Sequence, residues 1–277
     1  MVAIGVFGLL IGSFLSVIIV RLPVMLYRQA PENWSDPPEG IERAGAPPMT
    51  LIAPRSQCVH CQHQLRWYEN IPVVSYLFLR AKCTVCHRAI SPLYPTVELL
   101  ACIVAVVAAV RFGGDIRLFG ALIVSFALIP IAFIDVRHWI IPDDIVLPVM
   151  WLGLLCNAFD VFVPLKEALF GAMAGYGVLW SIYWLHRIVT GKEGMGYGDF
   201  KLAAMLGAWL GVGSIAIVLV LAFAGGAIFG TSLMIAGRAK MASSIPFGPF
   251  LAVAGWVSVY WGDRLIGVYW SLALPWY

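Results

Sequence analysis

Long apolar runs separated by short polar or glycine-rich and proline-bearing breaks dominate this chain. Runs of roughly the 17–25 residues needed to cross a hydrocarbon core lie near 2–20, 93–111, 117–134, 145–162, 167–186, 212–236 and 246–270. A shorter one occupies 200–211, and its boundary with the next falls in the glycine-rich GAWLGVGS at 207–214. The pattern predicts an all-α polytopic membrane protein with eight transmembrane helices. Residues 21–92 interrupt it with nine prolines, eight basic residues and four cysteines. The expected organisation is therefore a first helix at 1–20, an insert at 21–92 between helices one and two, and a transmembrane core at 93–277. The first half of the insert, PENWSDPPEGIERAGAPP, has the composition of an irregular loop. Tryptophans 139, 184, 209 and 270 fall near predicted helix ends, where interfacial anchoring is the ordinary role.

Composition agrees with this reading. Of 277 residues, 61% are hydrophobic and 12% charged, against roughly 25% charged in soluble domains. The net charge of +3 does not call for a nucleic-acid partner, and none is expected. The distribution of charge says more. With the N-terminus outside, fourteen of the eighteen Lys and Arg fall in inward-facing segments, as retention of basic residues on the cytoplasmic side requires. The outer side receives Arg111, Arg117, Lys166 and Arg264. Both termini are thus expected outside and the insert in the cytoplasm. The first run lacks a basic n-region and its positive charge, Arg21, follows it, so it reads as a helix rather than a cleaved signal.

Within the insert, CVHC (Cys58, Cys61) and CTVC (Cys83, Cys86) are two C-x-x-C motifs separated by 21 residues. Four thiolates at such spacing can close a tetrahedral Zn²⁺ site of the structural, zinc-ribbon kind. Two disulfides are the alternative, disfavoured in a reducing cytoplasm. His60, His63 and His87 lie in or beside the motifs but are not needed to complete the set. Cys102 and Cys156 sit in apolar runs and read as small hydrophobes.

Two acids stand at the ends of apolar runs. Carboxylates at membrane depth cost about 2.5–3.5 kcal/mol at the bilayer centre and usually mark function. Asp135 ends the third helix on its way in, and Asp199 opens the sixth on its way out, so the topology brings both to one rim. Glycines 194, 196 and 198 let the backbone approach Asp199 by a tight path and admit a close neighbour. Such a pair could share a water for peptide hydrolysis. The bland alternatives are a helix cap at Asp199 and an ion pair with Arg137, or a headgroup contact, at Asp135. Asp143 and Asp144 rank second for the catalytic role, because helix capping after Pro142 explains them. A transporter or proton relay would instead need acids near the midplane and interrupted helices in related halves, which the sequence does not show.

Five stretches taken in order, GSFLSVIIVRLP, the paired C-x-x-C motifs, FIDVRHWIIPD, GMGYGDFK with its G-x-G-D core, and IPFGPFLAVAG, resemble the type IV prepilin leader peptidases over about residues 8–255. The resemblance implies a bifunctional bacterial inner-membrane enzyme. Such an enzyme cuts the basic leader from prepilins or type II secretion pseudopilins at the cytoplasmic face, then N-methylates the new terminus with S-adenosylmethionine. It implies Asp135 and Asp199 as the catalytic pair and Cys58, Cys61, Cys83 and Cys86 as the metal ligands. Two positions depart from the family pattern: Ser16 stands where Asn is usual, and Ala81 where Gly is usual. For S-adenosylmethionine the polar residues Glu69, Arg80 and Lys82 are the candidates in the insert. Glu32, Asp36, Glu39 and Glu42 are candidates for attracting a basic leader.

Overall fold

The computed structural model describes residues 1–30, 49–192, 194–237 and 245–273, without the side chains of 268–270 and 272–273. The acidic loop candidates at 32–42 and Trp270 therefore lie outside the described side chains. The chain divides into two compact units, Met1–Gly113 and Gly114–Tyr277.

In the first unit, α1 (Val2–Gln29) and α3 (Leu93–Phe112) flank the insert, which holds a 3-10 turn at Trp67–Asn70 and the short α2 (Val74–Phe78). α1 runs nine residues beyond the apolar stretch and carries Pro23 within it. Its contact with α3 is close because glycines leave room. A β-carbon at Gly12 would stand 2.6 Å from Glu98 Cα, and one at Gly8 would stand 2.7 Å from the Ala101 carbonyl. Small residues at such a crossing let two backbones approach, the usual packing mode of helices in a bilayer. Near the far end of α1, Arg21 donates to the Thr50 carbonyl at 3.0 Å. Ser16, the departure from the family pattern in α1, is buried and donates to the Ser13 carbonyl at 2.7 Å.

The second unit comprises α4 (Arg117–His138), α5 (Asp143–Asn157), α6 (Leu165–Thr190), α7 (Tyr197–Ile235) and α8 (Gly248–Ala273). Among the described residues, five helices are long and apolar enough to cross a membrane: α1, α3, α4, α6 and α7. All eight apolar runs become helical, the sixth and seventh as the two halves of α7. The 39-residue α7 is not one rod, because Gly211 has φ 77° and ψ 174°, values open to glycine and costly for other residues.

The break reverses the chain. A β-carbon at Gly255 of α8 would meet Leu206, and one at Gly262 would meet Ser214. Beyond the break the sequence of contacts turns back: Gly225 and Gly226 lie against Phe250, and Gly230 against Ile245. The first half of α7 thus runs parallel to α8 and the second half antiparallel to it. Asn157, fully buried, accounts for the freed backbone. Its Nδ2 donates to the Ala208 and Trp209 carbonyls at 2.9 and 3.1 Å, while its Oδ1 accepts from Phe162 and Val163. Buried polar groups that find partners in this way carry little net penalty.

Trp209 corrects the interfacial expectation. It is 1% exposed, donates to the Val149 carbonyl at 2.8 Å and fills the space left by Gly153 and Gly120. Trp139 and Trp184 remain exposed. Cys102 and Cys156 are half-buried in α3 and α5.

Candidate functional sites

In the insert, two loops of ten residues have the same backbone pattern, 25 positions apart. Cys58 N–H donates to the His63 carbonyl and Gln62 N–H to the Cys58 carbonyl; Cys83 and Arg88, then His87 and Cys83, repeat those bonds. Leu65 closes the first loop on Ser56, and Ile90 closes the second on Ala81. Gln62 and His87, each just after the second cysteine of its motif, have φ 57° and 56°. These left-handed residues turn the chain back, and after Gln62 the His63 backbone faces the second sulfur, Cys61. Burial pushes the Cys58 thiol up, but hydrogen bonds from the Cys61 and His60 backbones outweigh it and bring it to about 7. Hydrogen bonds from the Cys86 and Val85 backbones likewise lower the Cys83 thiol.

The four sulfurs lie within 4.8 Å of one another, with Cys58 to Cys86 at 3.8 Å and Cys61 to Cys83 at 3.9 Å. A tetrahedral ion with bonds of about 2.3 Å sets its ligand sulfurs about 3.8 Å apart. The cluster therefore fits a Zn²⁺ ion, and these separations are far from the roughly 2.05 Å of a disulfide.

Glu69 joins the two loops. Its Oε1 accepts from Thr84 Oγ1 at 2.6 Å, and its Oε2 accepts from the Arg66 amide at 2.7 Å and lies 3.4 Å from His63 Nε2. The Thr84 hydroxyl first, then the Arg66 amide, hold this carboxyl below the ordinary range. The S-adenosylmethionine candidates thus separate: Glu69 is buried in the clasp, whereas Arg80 and Lys82 stand exposed. No hydrogen bond or ion pair joins the three among the described residues. Ala81, in the position where glycine was expected, has φ 58°. That conformation is free for glycine and costs an L-residue about 1–2 kcal/mol.

Sequence reasoning passed over Glu98, a lone acid inside the apolar run 93–111. It is 7% exposed in α3 and accepts from the Val73 amide at 2.7 Å. Val73 has φ 59°, a genuine outlier for a β-branched residue. Glu98 is therefore an anchor that holds one strained backbone position of the insert.

In the second unit, the last turn of α4 supplies Asp135 and the first turn of α7 supplies Asp199. They are 5% and 6% exposed and are electrostatic neighbours. Asp135 is not paired with Arg137: its Oδ2 accepts the Gly248 amide at 3.0 Å, at the start of α8. A β-carbon at Gly248 would fall 2.6 Å from that oxygen, so only glycine brings this amide so close. Asp199 is the third residue of its helix, with Gly196 at the N-cap. The Gly196 backbone lies close to its carboxylate, but no hydrogen bond joins them among the described residues, so the capping box is not formed. Asp199 Oδ1 is buried and has no hydrogen-bond partner among the described residues. Capping therefore does not account for this buried oxygen.

Ile141 lies between the two acids' supports. Its Cβ would sit 2.8 Å from a β-carbon at Gly198, and its Cδ1 3.1 Å from one at Gly248. The secondary candidates are exposed, and Asp143 takes both oxygens to Lys201 Nζ, at 2.6 and 2.9 Å. The role of Gly248 was carried by the quoted IPFGPF stretch but could not be assigned before its contact with Asp135 was seen.

Comparison with known proteins gives two family matches: residues 6–112 match the bacterial peptidase A24 N-terminal domain, and residues 122–231 the type IV leader peptidase family. The chain is 47% identical, over 97% of its length and 93% of the relative's, to a protein of Stutzerimonas stutzeri named prepilin leader peptidase/N-methyltransferase. Proteins of the same name from Aeromonas salmonicida and Pseudomonas aeruginosa are 46% and 44% identical over 97% and 96% of this chain, covering 93% and 92% of their own lengths. No solved structure matches.

Proposed function

Because the chain belongs to the type IV leader peptidase family, we propose that it cleaves the leader peptide of type IV prepilins or type II secretion pseudopilins, with Asp135 and Asp199 as the catalytic pair. The observation that carries this is the state of the two acids: both buried, mutual electrostatic neighbours, and one oxygen of Asp199 without a partner. Burying an unsatisfied carboxylate oxygen is costly, and a water shared with Asp135 would relieve it.

Two carboxyl groups over one water hold a single proton between them. The ionised one takes a proton from the water as its oxygen attacks the scissile carbonyl, and the protonated one donates to the carbonyl oxygen. When the tetrahedral centre collapses, the first returns its proton to the leaving amine and the second recovers a proton from the gem-diol hydroxyl as the carbonyl re-forms. Water is consumed, and an acid and an amine result. Gly248 N–H holds Asp135 in place throughout, and the first-turn amides of α7 favour negative charge at Asp199.

The same reading includes N-methylation of the new terminus, which rests on the names of the relatives. S-adenosylmethionine would supply the electrophilic methyl group; cleavage does not need it. Zn²⁺, held by Cys58, Cys61, Cys83 and Cys86, would fix the insert and take no part in the chemistry. The distribution of basic residues supports an inner-membrane placement with the insert and the acid pair on the cytoplasmic side and the N-terminus outside.

The experiment is cleavage of a purified prepilin by the wild type and by Asp135→Asn and Asp199→Asn, with mass measurement of the product. Loss of cleavage in both variants, with normal membrane insertion, is the expected result; wild-type rates in either would refute the pair. Product heavier by one methyl group, only when S-adenosylmethionine is supplied, would establish the second activity.

A further inference from the structure

The link between α4 and α5 does more than connect two helices. Trp139 takes a left-handed conformation and its amide caps α4 by donating to the Asp135 carbonyl at 2.9 Å. The chain then turns through Ile141 and buried Pro142 into α5. Ile141 occupies the space left by two glycines at once. One, Gly198, immediately precedes Asp199; the other, Gly248, gives its amide to Asp135. A single side chain is thus in contact with the support of each acid. Two residues along, Asp143 is gripped through both oxygens by Lys201, itself two residues beyond Asp199.

We propose that Ile141, pinned by the Asp143–Lys201 ion pair, is a spacer that sets the separation of Asp135 and Asp199. This rests on the catalytic reading of those two acids given above. Neither Ile141 nor the pair needs to touch substrate; both act through the acids as positioning residues. Stability is not the function of the pair. Its members are 35% and 49% exposed, and exposed pairs add little to stability. Position is another matter, because a displacement of about 1 Å in a reacting group can cost about a hundredfold in rate. Ile141, by its shape, decides how far Gly198 and Gly248 stand apart.

The test uses the full chain in detergent or vesicles with a purified prepilin. Ile141→Ala should lower kcat about tenfold to a hundredfold while KM stays within about twofold and the melting temperature within a few degrees. Asp143→Lys or Lys201→Asp alone should each lower kcat about tenfold. The double exchange Asp143→Lys with Lys201→Asp should return it to within about threefold of wild type. Should Ile141→Ala not accumulate, Ile141→Val removes one methyl group and should give a smaller loss in kcat at unchanged KM. Wild-type kcat in Ile141→Ala, or in Ile141→Val where only that variant accumulates, would overturn the proposal. So would a loss that merely follows the amount of folded protein, or a double exchange no better than its single variants. Asp199→Asn is run beside them: if it cleaves normally, the catalytic reading itself fails, whereas an inactive Asp199→Asn with an unaffected Ile141→Ala removes only the spacer.

Discussion

Glu69 in the cysteine-rich insert and Asp199 at the head of α7 are equally buried, each 6% exposed, and they differ in what their oxygens meet. Both oxygens of Glu69 are taken, by Thr84 on one side and by Arg66 and His63 on the other. Asp199 has the Gly196 backbone near its carboxylate and, among the described residues, no hydrogen-bond partner on Oδ1. Around Glu69 the same loop is built twice and closed on four sulfurs. Around Asp199, Gly198 leaves room that Ile141 fills, and Gly248 does the same beside Asp135. A carboxylate whose bonds are complete stabilises a shape, whereas one left incomplete in a dry site is available to a reacting molecule. Burial alone does not distinguish a structural acid from a reactive one; the inventory of partners does.

Several measurements would break or sharpen this contrast. The largest effect is expected at the metal. Cys83→Ser, or a strong chelator, should release one Zn²⁺ per chain by elemental analysis and unfold the insert, because metal-linked folding is worth about 10 kcal/mol or more in small zinc domains. Zinc content unchanged in Cys83→Ser would refute the four-sulfur site. Next in size, Asp199→Asn should abolish cleavage by about 10²–10⁴-fold while leaving the melting temperature unchanged or raised, since it removes a buried negative charge beside Asp135. A marked destabilisation would place Asp199 with Glu69 as a structural acid.

Gly248→Ala should follow at about tenfold to a hundredfold in kcat, because its methyl group would collide with Asp135 Oδ2. Normal kinetics in that variant would show that the amide at 248 is not needed to hold Asp135.

Smaller again is Glu69→Gln, expected to lower stability by about 1–3 kcal/mol, the range for a buried hydrogen bond to a charged group, with cleavage preserved. The pH dependence has a definite sign. The folded carboxyl of Glu69 titrates below its unfolded counterpart, so its contribution is complete above about pH 4.5 and is lost as pH falls through the folded value. Glu69→Gln should remove that part of the acid sensitivity in thermal unfolding. The smallest effect is expected from Ala81→Gly, which should stabilise the insert by about 1 kcal/mol by relieving the left-handed strain at that position; an unchanged melting temperature would remove the strain argument.

The sequence was most informative where chemistry was local. Eight apolar runs became helical segments, two C-x-x-C motifs became one cluster, and the acids at 135 and 199, 64 residues apart in sequence, are electrostatic neighbours. What remained hidden depends on contacts between distant elements. Gly248 looks like any glycine at a helix start until Asp135 is seen against it, and Ile141 like any apolar residue beside a proline. Glu69 read as a polar loop residue because nothing nearby in sequence reveals that Thr84 completes its bonding. Trp209 resembled an interfacial anchor because its partner, the Val149 carbonyl, is sixty residues away. Asn157 could not be recognised as a cap for carbonyls belonging to a helix some fifty residues later.

The fold-back at Gly211 has a bearing on how this protein is mapped in cells. A single unbroken helix over residues 197–235 would make one passage and put the two ends of that stretch in different compartments. The contacts with α8 instead return the chain to the level it left, so that reporters fused just before residue 197 and just after residue 235 should light up on the same side, and one spliced near Gly213 on the other.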